Sequence, residues 1–287
     1  MSAIFKREFK SYMHNMTGPI FIFFLLLFTG VCVSIYNLFI GFSSFSYAIE
    51  LTAIAFLVII PIITMRSLSE DRANKTDYLL FSLPLKTSSI VLGKFFAIVA
   101  VFTIPIAVML LYPIILSAYG YMYYAASYSA IFALFLLGLS LISICMFISS
   151  LTESQVISAV ISLGVLIFLL VLPLLTALIP TTALASFICF IVCEALVSVL
   201  IWRLTKNPNV GMISAAVLVI PTCAIYFFKA EWFEGLFPSL IENLSLYSQF
   251  YNLNSGIFDI KSMVYLLSVT VFFLFLCTQS LERRRWS

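Results

Sequence analysis

The sequence predicts an all-α polytopic membrane protein, and three observations carry that prediction. Of the 287 residues, 63% are hydrophobic and only 9% charged, with a mean hydropathy of +1.16, which leaves too little polar surface to cover a soluble globule of this length. Apolar runs of about 20 residues, the length that carries a helix across a hydrocarbon core, recur along the chain. Basic residues gather in alternate connections between those runs. Helices follow from the solvent itself, because lipid offers nothing to hydrogen-bond an open backbone group.

Eight spans are predicted in order. Thr17 to Ile40 follows the charged Lys6, Arg7, Glu8 and Lys10, but it exceeds a signal-peptide core and lacks a small-residue cleavage site, so it reads as a retained span. Tyr47 to Met65 is the second. Phe95 to Ala118 and Ala125 to Leu151 are the third and fourth, joined through a tyrosine-rich stretch (YGYMYYAASY) suited to rings at a membrane–water boundary. Val156 to Ile179 and Ala183 to Trp202 are separated by a turn at Pro180, and Val210 to Phe228 follows after Arg203 to Asn209. Met263 to Ser280 is the last. Pro61, Pro105, Pro113, Pro173 and Pro221 fall inside spans and read as kinks. No connection is long enough to separate two domains, so residues 1–287 read as one membrane domain.

With the N-terminus in the cytoplasm, eight spans leave every Lys and Arg except Lys229 and Lys261 on the cytoplasmic side, and the C-terminus returns there with Arg283, Arg284 and Arg285. The net charge of +3 is therefore a topology signal spread over one face, and no basic patch for nucleic acid emerges. The six cysteines all fall in apolar runs and read as small buried hydrophobes; Cys189 and Cys193 share a helical face but have no histidine nearby to complete a metal site. His14 is the sole histidine, and neither a GxxxxGK[ST] loop nor an HExxH helix is present, which speaks against a catalytic or metal centre in this chain.

Three regions carry functional expectations. Met65 to Lys94 is charged and helix-capable. Within it Ser69 would cap a short amphipathic helix, about residues 69–83, with Glu70 and Asp71 in its first turn, Arg72 and Lys75 toward solvent, Tyr78 to Phe81 as an apolar patch and Pro84 as its stop. A solvated connector is the plainer alternative. The outer segment, about residues 229–261, repeats Trp232, Leu236, Leu240 and Leu244 beside Phe233, Phe237 and Ile241, which predicts an amphipathic helix in the interface or one folding back between spans, kinked or begun at Pro238. Glu194 lies mid-span, where a charge is costly; it reads either as a proton or substrate site or as a neutralised side chain bonded to Ser198 or a neighbouring helix. Glu50, near the outer end of the second span, reads as an interfacial carboxylate.

The run Pro61, Thr64, Met65, Arg66, Leu68, Glu70, Asp71, Arg72, Thr76, Leu80 and Pro84, then Gly93-Lys94-Phe95, resembles type-2 ABC exporter permeases, particularly the gliding-motility-like branch. Ser150 to Leu163 and Gly256 to Trp286, with its Gly-Ile-Phe-Asp opening and Leu-Glu-Arg-Arg-Arg-Trp ending, resemble the same branch. The resemblance implies a multi-pass subunit of a bacterial cytoplasmic membrane that pairs with a second permease copy or paralogue and with two separate ABC ATPase subunits, which would hold the ATP and Mg. It implies that Glu70, Asp71, Arg72, Thr76, Asp77, Leu80, Phe81 and Pro84 belong to a coupling helix seated on the ATPase, and that Trp232, Phe233, Leu236 and Phe237 belong to an outer gate. The family core has six spans, so Ala183 to Phe228 would be an added hairpin. Two other functions compete: a proton-coupled secondary transporter using Glu194, and a non-conducting auxiliary subunit of an envelope machine. Spans dominated by Phe, Leu, Ile and Val favour an amphipathic cargo, lipid-like or peptide, over a small ion.

Overall fold

A computed structural model describes residues 2–75, 86–256 and 259–286. The described residues are helical nearly throughout, in the order α1 (Ser2–His14), α2 (Thr17–Val33), α3 (Ser46–Thr64), α4 (Arg66–Ala73), α5 (Thr87–Met109), α6 (Tyr112–Leu116), α7 (Tyr124–Leu151), α8 (Gln155–Leu178), α9 (Ala183–Thr205), α10 (Pro208–Phe228), α11 (Leu236–Leu244), α12 (Leu246–Asn254) and α13 (Ile260–Trp286). Eight helical stretches among them are long and apolar enough to cross a membrane, the number read from the sequence. The chain divides into two compact units, residues 1–170 with 249–287, and residues 171–248.

In the first unit, α7 is the axis: 78% of its span is buried, and it lies along α3, α5 and α13. Phe102 of α5 is the centre of the packing. Its ring meets Phe21 of α2 and Phe56 of α3 edge-on and stacks on Phe135 of α7 at 5.9 Å. Gly138 of α7 lets that ring in, since a β-carbon there would stand 2.3 Å from Phe102 Cζ. Without a hydrophobic force between helices in lipid, close approach and hydrogen bonds must hold them. Ser140 Oγ of α7 supplies one such bond, 2.9 Å from the Leu266 carbonyl of α13.

The α2 helix ends in a π-helical turn, Ser34–Phe39, where buried Asn37 donates to the Phe42 and Ser44 carbonyls at 2.9 and 3.0 Å and so closes the turn into α3. Asn254 of α12 donates to the Ser46 carbonyl at 3.2 Å, docking α12 on the start of α3. Two helices begin or end well outside the predicted spans. The third span starts at Thr87 instead of Phe95, and the last runs to Trp286.

The second unit is a hairpin of α9 and α10, followed by a 3₁₀ turn (Ala230–Phe233) and α11. Lys206 and Gly235 adopt the left-handed conformation that ends one helix and breaks the chain before the next. The predicted outer helix is thus divided: Gly235, at φ 66°, separates the Trp232 turn from α11, and Pro238 lies in the first turn of α11, where its missing N–H costs no helical bond. Of the two apolar stripes foreseen there, Phe233 and Phe237 turn inward and meet the Phe190 ring edge-on at 5.9 and 5.2 Å. Trp232, Leu240 and Leu244 stay exposed.

Candidate functional site

The segment between the second and third spans begins differently from the expectation. Ser69 does not cap a helix: α4 starts at Arg66, one residue after α3 ends, and the Ser69 hydroxyl donates back to the Met65 carbonyl inside the turn. The reason is a tertiary contact. Buried Ser149, near the end of α7, accepts the Leu68 and Ser69 N–H groups at 3.2 and 3.1 Å and stands 3.2 Å from the Met65 carbonyl. One hydroxyl therefore satisfies donors that a break in the helix ladder exposes, and helix carries directly out of the span. It ends at Ala73, with Lys75 in the left-handed conformation. Thr76, Asp77, Leu80, Phe81 and Pro84 lie outside the described residues.

Beneath this break sits a buried ion-pair junction. Lys94 of α5 is 3% exposed, and its Nζ reaches Asp71 Oδ2 of α4 at 2.7 Å, the Ser67 carbonyl at 2.7 Å and Glu8 Oε1 of α1 at 3.2 Å. The ammonium donates its hydrogen bond to the Ser67 carbonyl, and the two carboxylates flank it as ion-pair partners. Arg7 pairs with the same Glu8 oxygen at 2.6 Å, which makes Arg7, Glu8, Lys94 and Asp71 a neutral set of four charges drawn from three helices. Arg7 stays more than half exposed, so the fully buried charge is Lys94, and it is tolerated because carboxylates flank it. Glu70 forms a forked pair with Arg66 one helical turn earlier, at 2.9 and 3.1 Å, and Arg72 is half-buried in the last turn of α4. Tyr12 of α1 is buried beside these charges; burial first, and the Glu8 charge second, push its hydroxyl above the ordinary tyrosine range.

At the same end of the unit, Arg284 of α13 pairs with Glu153 at 2.8 Å, so basic residues of α1, α4, α5 and α13 share one end of the bundle. The sequence counts Lys94 as a topology signal and as part of the resemblance, and gives no role to Glu8 or Ser149. The helix starts at Thr87, which places Lys94 roughly 10 Å inside the helix end.

The other predicted residues lie elsewhere. Glu50 of α3 faces the neighbourhood of Tyr251 of α12, whose hydroxyl is raised by burial and then by the Glu50 charge. Glu194 of α9 does not bond Ser198 through its side chain. Ser198 donates instead to the Glu194 backbone carbonyl at 2.7 Å, while Glu194 Oε1 stands 2.5 Å from the Thr222 hydroxyl of α10. Trp232 lies under the Lys229 ammonium, 4.3 Å from the ring centroid, a cation–π contact. Among the described residues, no three His, Cys, Asp or Glu side chains converge as metal ligands would.

Helices of this length, with a charged junction at one rim, are those of a polytopic membrane protein. The family model described as "ABC-2 family transporter protein" matches residues 25–286, and the chain belongs to that family. It is accordingly a membrane permease of an ABC transporter, the transmembrane component and not the ATPase, in a family that generally works with ATPase partners. Comparison with curated proteins and with solved structures finds no match.

Proposed function

We propose that this chain is the permease subunit of an ABC exporter in a bacterial cytoplasmic membrane, moved by two separate ATPase subunits that hold the ATP and Mg and push on the segment after α4. Both termini face the cytoplasm, a second permease copy or paralogue completes the channel, and the spans form one permease domain of the gliding-motility-like branch, with six core spans and the α9–α10 hairpin added. The observation that carries this reading is the junction at Lys94. A lever transmits force only if its foot is fixed, and the foot of this segment is tied to α1 and α5 through Glu8, Lys94 and Asp71 and to α7 through Ser149. Movement of Asp71 is then movement of the third span.

Glu70, Asp71 and Arg72 serve as that foot, and Thr76, Asp77, Leu80, Phe81 and Pro84 as the surface that meets the ATPase. Trp232, Phe233, Leu236 and Phe237 belong to an outer gate. An amphipathic cargo suits the groove of about 370 Å³ between α2 and α3, walled by Phe21, Phe24, Phe28, Val58, Ile59 and Ile62 with almost no polar surface. Glu194 has a structural role, because its carboxyl is engaged by Thr222 within its own hairpin.

Reconstitution of the permease with its ATPase tests the reading. Replacing Leu80 and Phe81 with aspartate should leave the protein inserted and the ATPase active while transport falls at least tenfold. Coupled transport at the wild-type ratio in that variant would refute the coupling role, and full transport without any ATPase would refute the class of mechanism. Full transport by Glu194→Gln is expected; its loss would revive a proton-coupled route.

A further inference from the structure

The hairpin of the second unit carries a feature apart from the coupling segment. Near the turn that joins α9 to α10, the two helices leave a cavity of about 330 Å³ lined by Ala195, Val199 and Trp202 on one side and Gly211, Met212 and Ala215 on the other. That volume falls within the range of small-molecule sites. Its lining is apolar but for the Trp202 indole N–H and Ser198, whose hydroxyl donates to the Glu194 carbonyl. Gly211 brings the helices together at this end: a β-carbon there would stand 2.7 Å from Trp202 Cβ. Trp202 therefore forms a wall of the notch with half its surface exposed.

Charge at the mouth has one sign. Arg203 and Lys206 lie one and four positions beyond Trp202, both are exposed, and neither forms an ion pair among the described residues. From Ala195 to Ala230 the chain contains no acidic residue to neutralise them. An apolar notch that opens beside two uncompensated cations, with a tryptophan at the boundary, matches a molecule with a hydrocarbon tail and an anionic head.

We propose that the α9–α10 notch binds an anionic glycerophospholipid of the surrounding leaflet, one acyl chain lying between the helices and the phosphate held by Arg203 and Lys206. The site is independent of the coupling role assigned to the Lys94 junction. Its occupant would fill an otherwise empty face of a hairpin in which only 12% of α9 and 6% of α10 are buried by protein.

Trp202 itself reports on the site. In a full-length variant with Trp232→Phe and Trp286→Phe, Trp202 is the sole tryptophan, and its fluorescence is quenched by contact with brominated acyl chains. In phosphatidylcholine vesicles, brominated phosphatidylglycerol should quench at about tenfold lower mole fraction than brominated phosphatidylcholine, the preference expected of two surface cations. Arg203→Gln with Lys206→Gln should abolish that preference, and Ala215→Leu, which fills the notch, should weaken quenching by both lipids. Equal quenching by the two lipids, or a preference that survives the double substitution, overturns the proposal. Quenching by neither lipid means that protein, such as a second copy, closes the notch, and overturns it as well. Lipid mass spectrometry of the detergent-extracted protein with all three tryptophans gives an independent reading: the double variant should retain several-fold less anionic lipid, and equal retention would count against the site.

Discussion

Lys94 in the first unit and Glu194 in the second are both ionisable residues carried inside long apolar helices, yet the chain accommodates them by different means. Lys94 is flanked by two carboxylates and hydrogen-bonds a carbonyl, all from segments distant in sequence, within a unit whose central helix is 78% buried. Glu194 has a single side-chain contact, the Thr222 hydroxyl of the adjacent helix, and its second oxygen has no partner among the described residues. The difference is one of position and purpose. A complete charge set at the rim joins three helices rigidly, whereas a lone polar clasp in a thinly packed hairpin holds only two.

The contrast is broken most directly at Lys94. Lys94→Met should destabilise the first unit by about 3 kcal/mol, because Glu8 and Asp71 lose their common cation while remaining partly buried. Thermal unfolding in detergent measures this, and a loss no greater than that of a surface ion pair would show that the junction is not a structural hub. Next in size is the packing centre of the same unit: Gly138→Ala forces a methyl group against the Phe102 ring and should cost about 2 kcal/mol. The corresponding change in the second unit, Thr222→Val, should cost only about 0.6 kcal/mol, the mean for a hydrogen bond between membrane helices. A cost equal to that at Lys94 would erase the distinction between the two units.

Titration sharpens the comparison further. The Tyr12 hydroxyl is raised in the folded state, so its contribution to stability is complete below the unfolded value of about 10 and is lost as pH rises from there through the folded value. Alkaline titration of tyrosinate absorbance should show Tyr12 ionising late and together with release of α1. At the other end of the unit, Asp259 accepts from the Lys261 N–H at 3.1 Å and the Ser262 N–H at 3.3 Å, and the Ser262 hydroxyl first among these contacts holds its carboxyl below the usual range. Its contribution is present above the unfolded value of about 3.9 and disappears as pH falls through the folded one, a small effect readable as faster amide exchange at the start of α13.

The eight apolar runs that the structure folds as membrane-length helices were legible in the sequence, and so was the charged break after the second of them. The helix boundaries that matter for the junction were not. Phe95 looked like the start of the third span because Lys94 precedes it, and hydropathy alone places a lysine outside a membrane helix. Only the presence of Glu8, Asp71 and the Ser67 carbonyl around Nζ makes that lysine acceptable two turns inside the helix. Likewise Ser69 has the chemistry of a helix cap, and it lost that role because Ser149 takes its N–H and that of Leu68. In the outer segment the repeat of Trp232, Leu236, Leu240 and Leu244 was visible, but the inward stripe proved to be Phe233 and Phe237, chosen by the Phe190 ring.

By itself, then, the sequence determined that this protein is a set of long apolar helices fit to cross a membrane, because a helix in lipid satisfies its backbone within its own residues and needs only a long enough apolar run. Tertiary structure alone decided which charges meet. Glu8, Asp71 and Lys94 are separated by 63 and 23 positions along the chain, and no local rule relates them; they meet only because α1, α4 and α5 converge at one rim, where two carboxylates flank one buried ammonium.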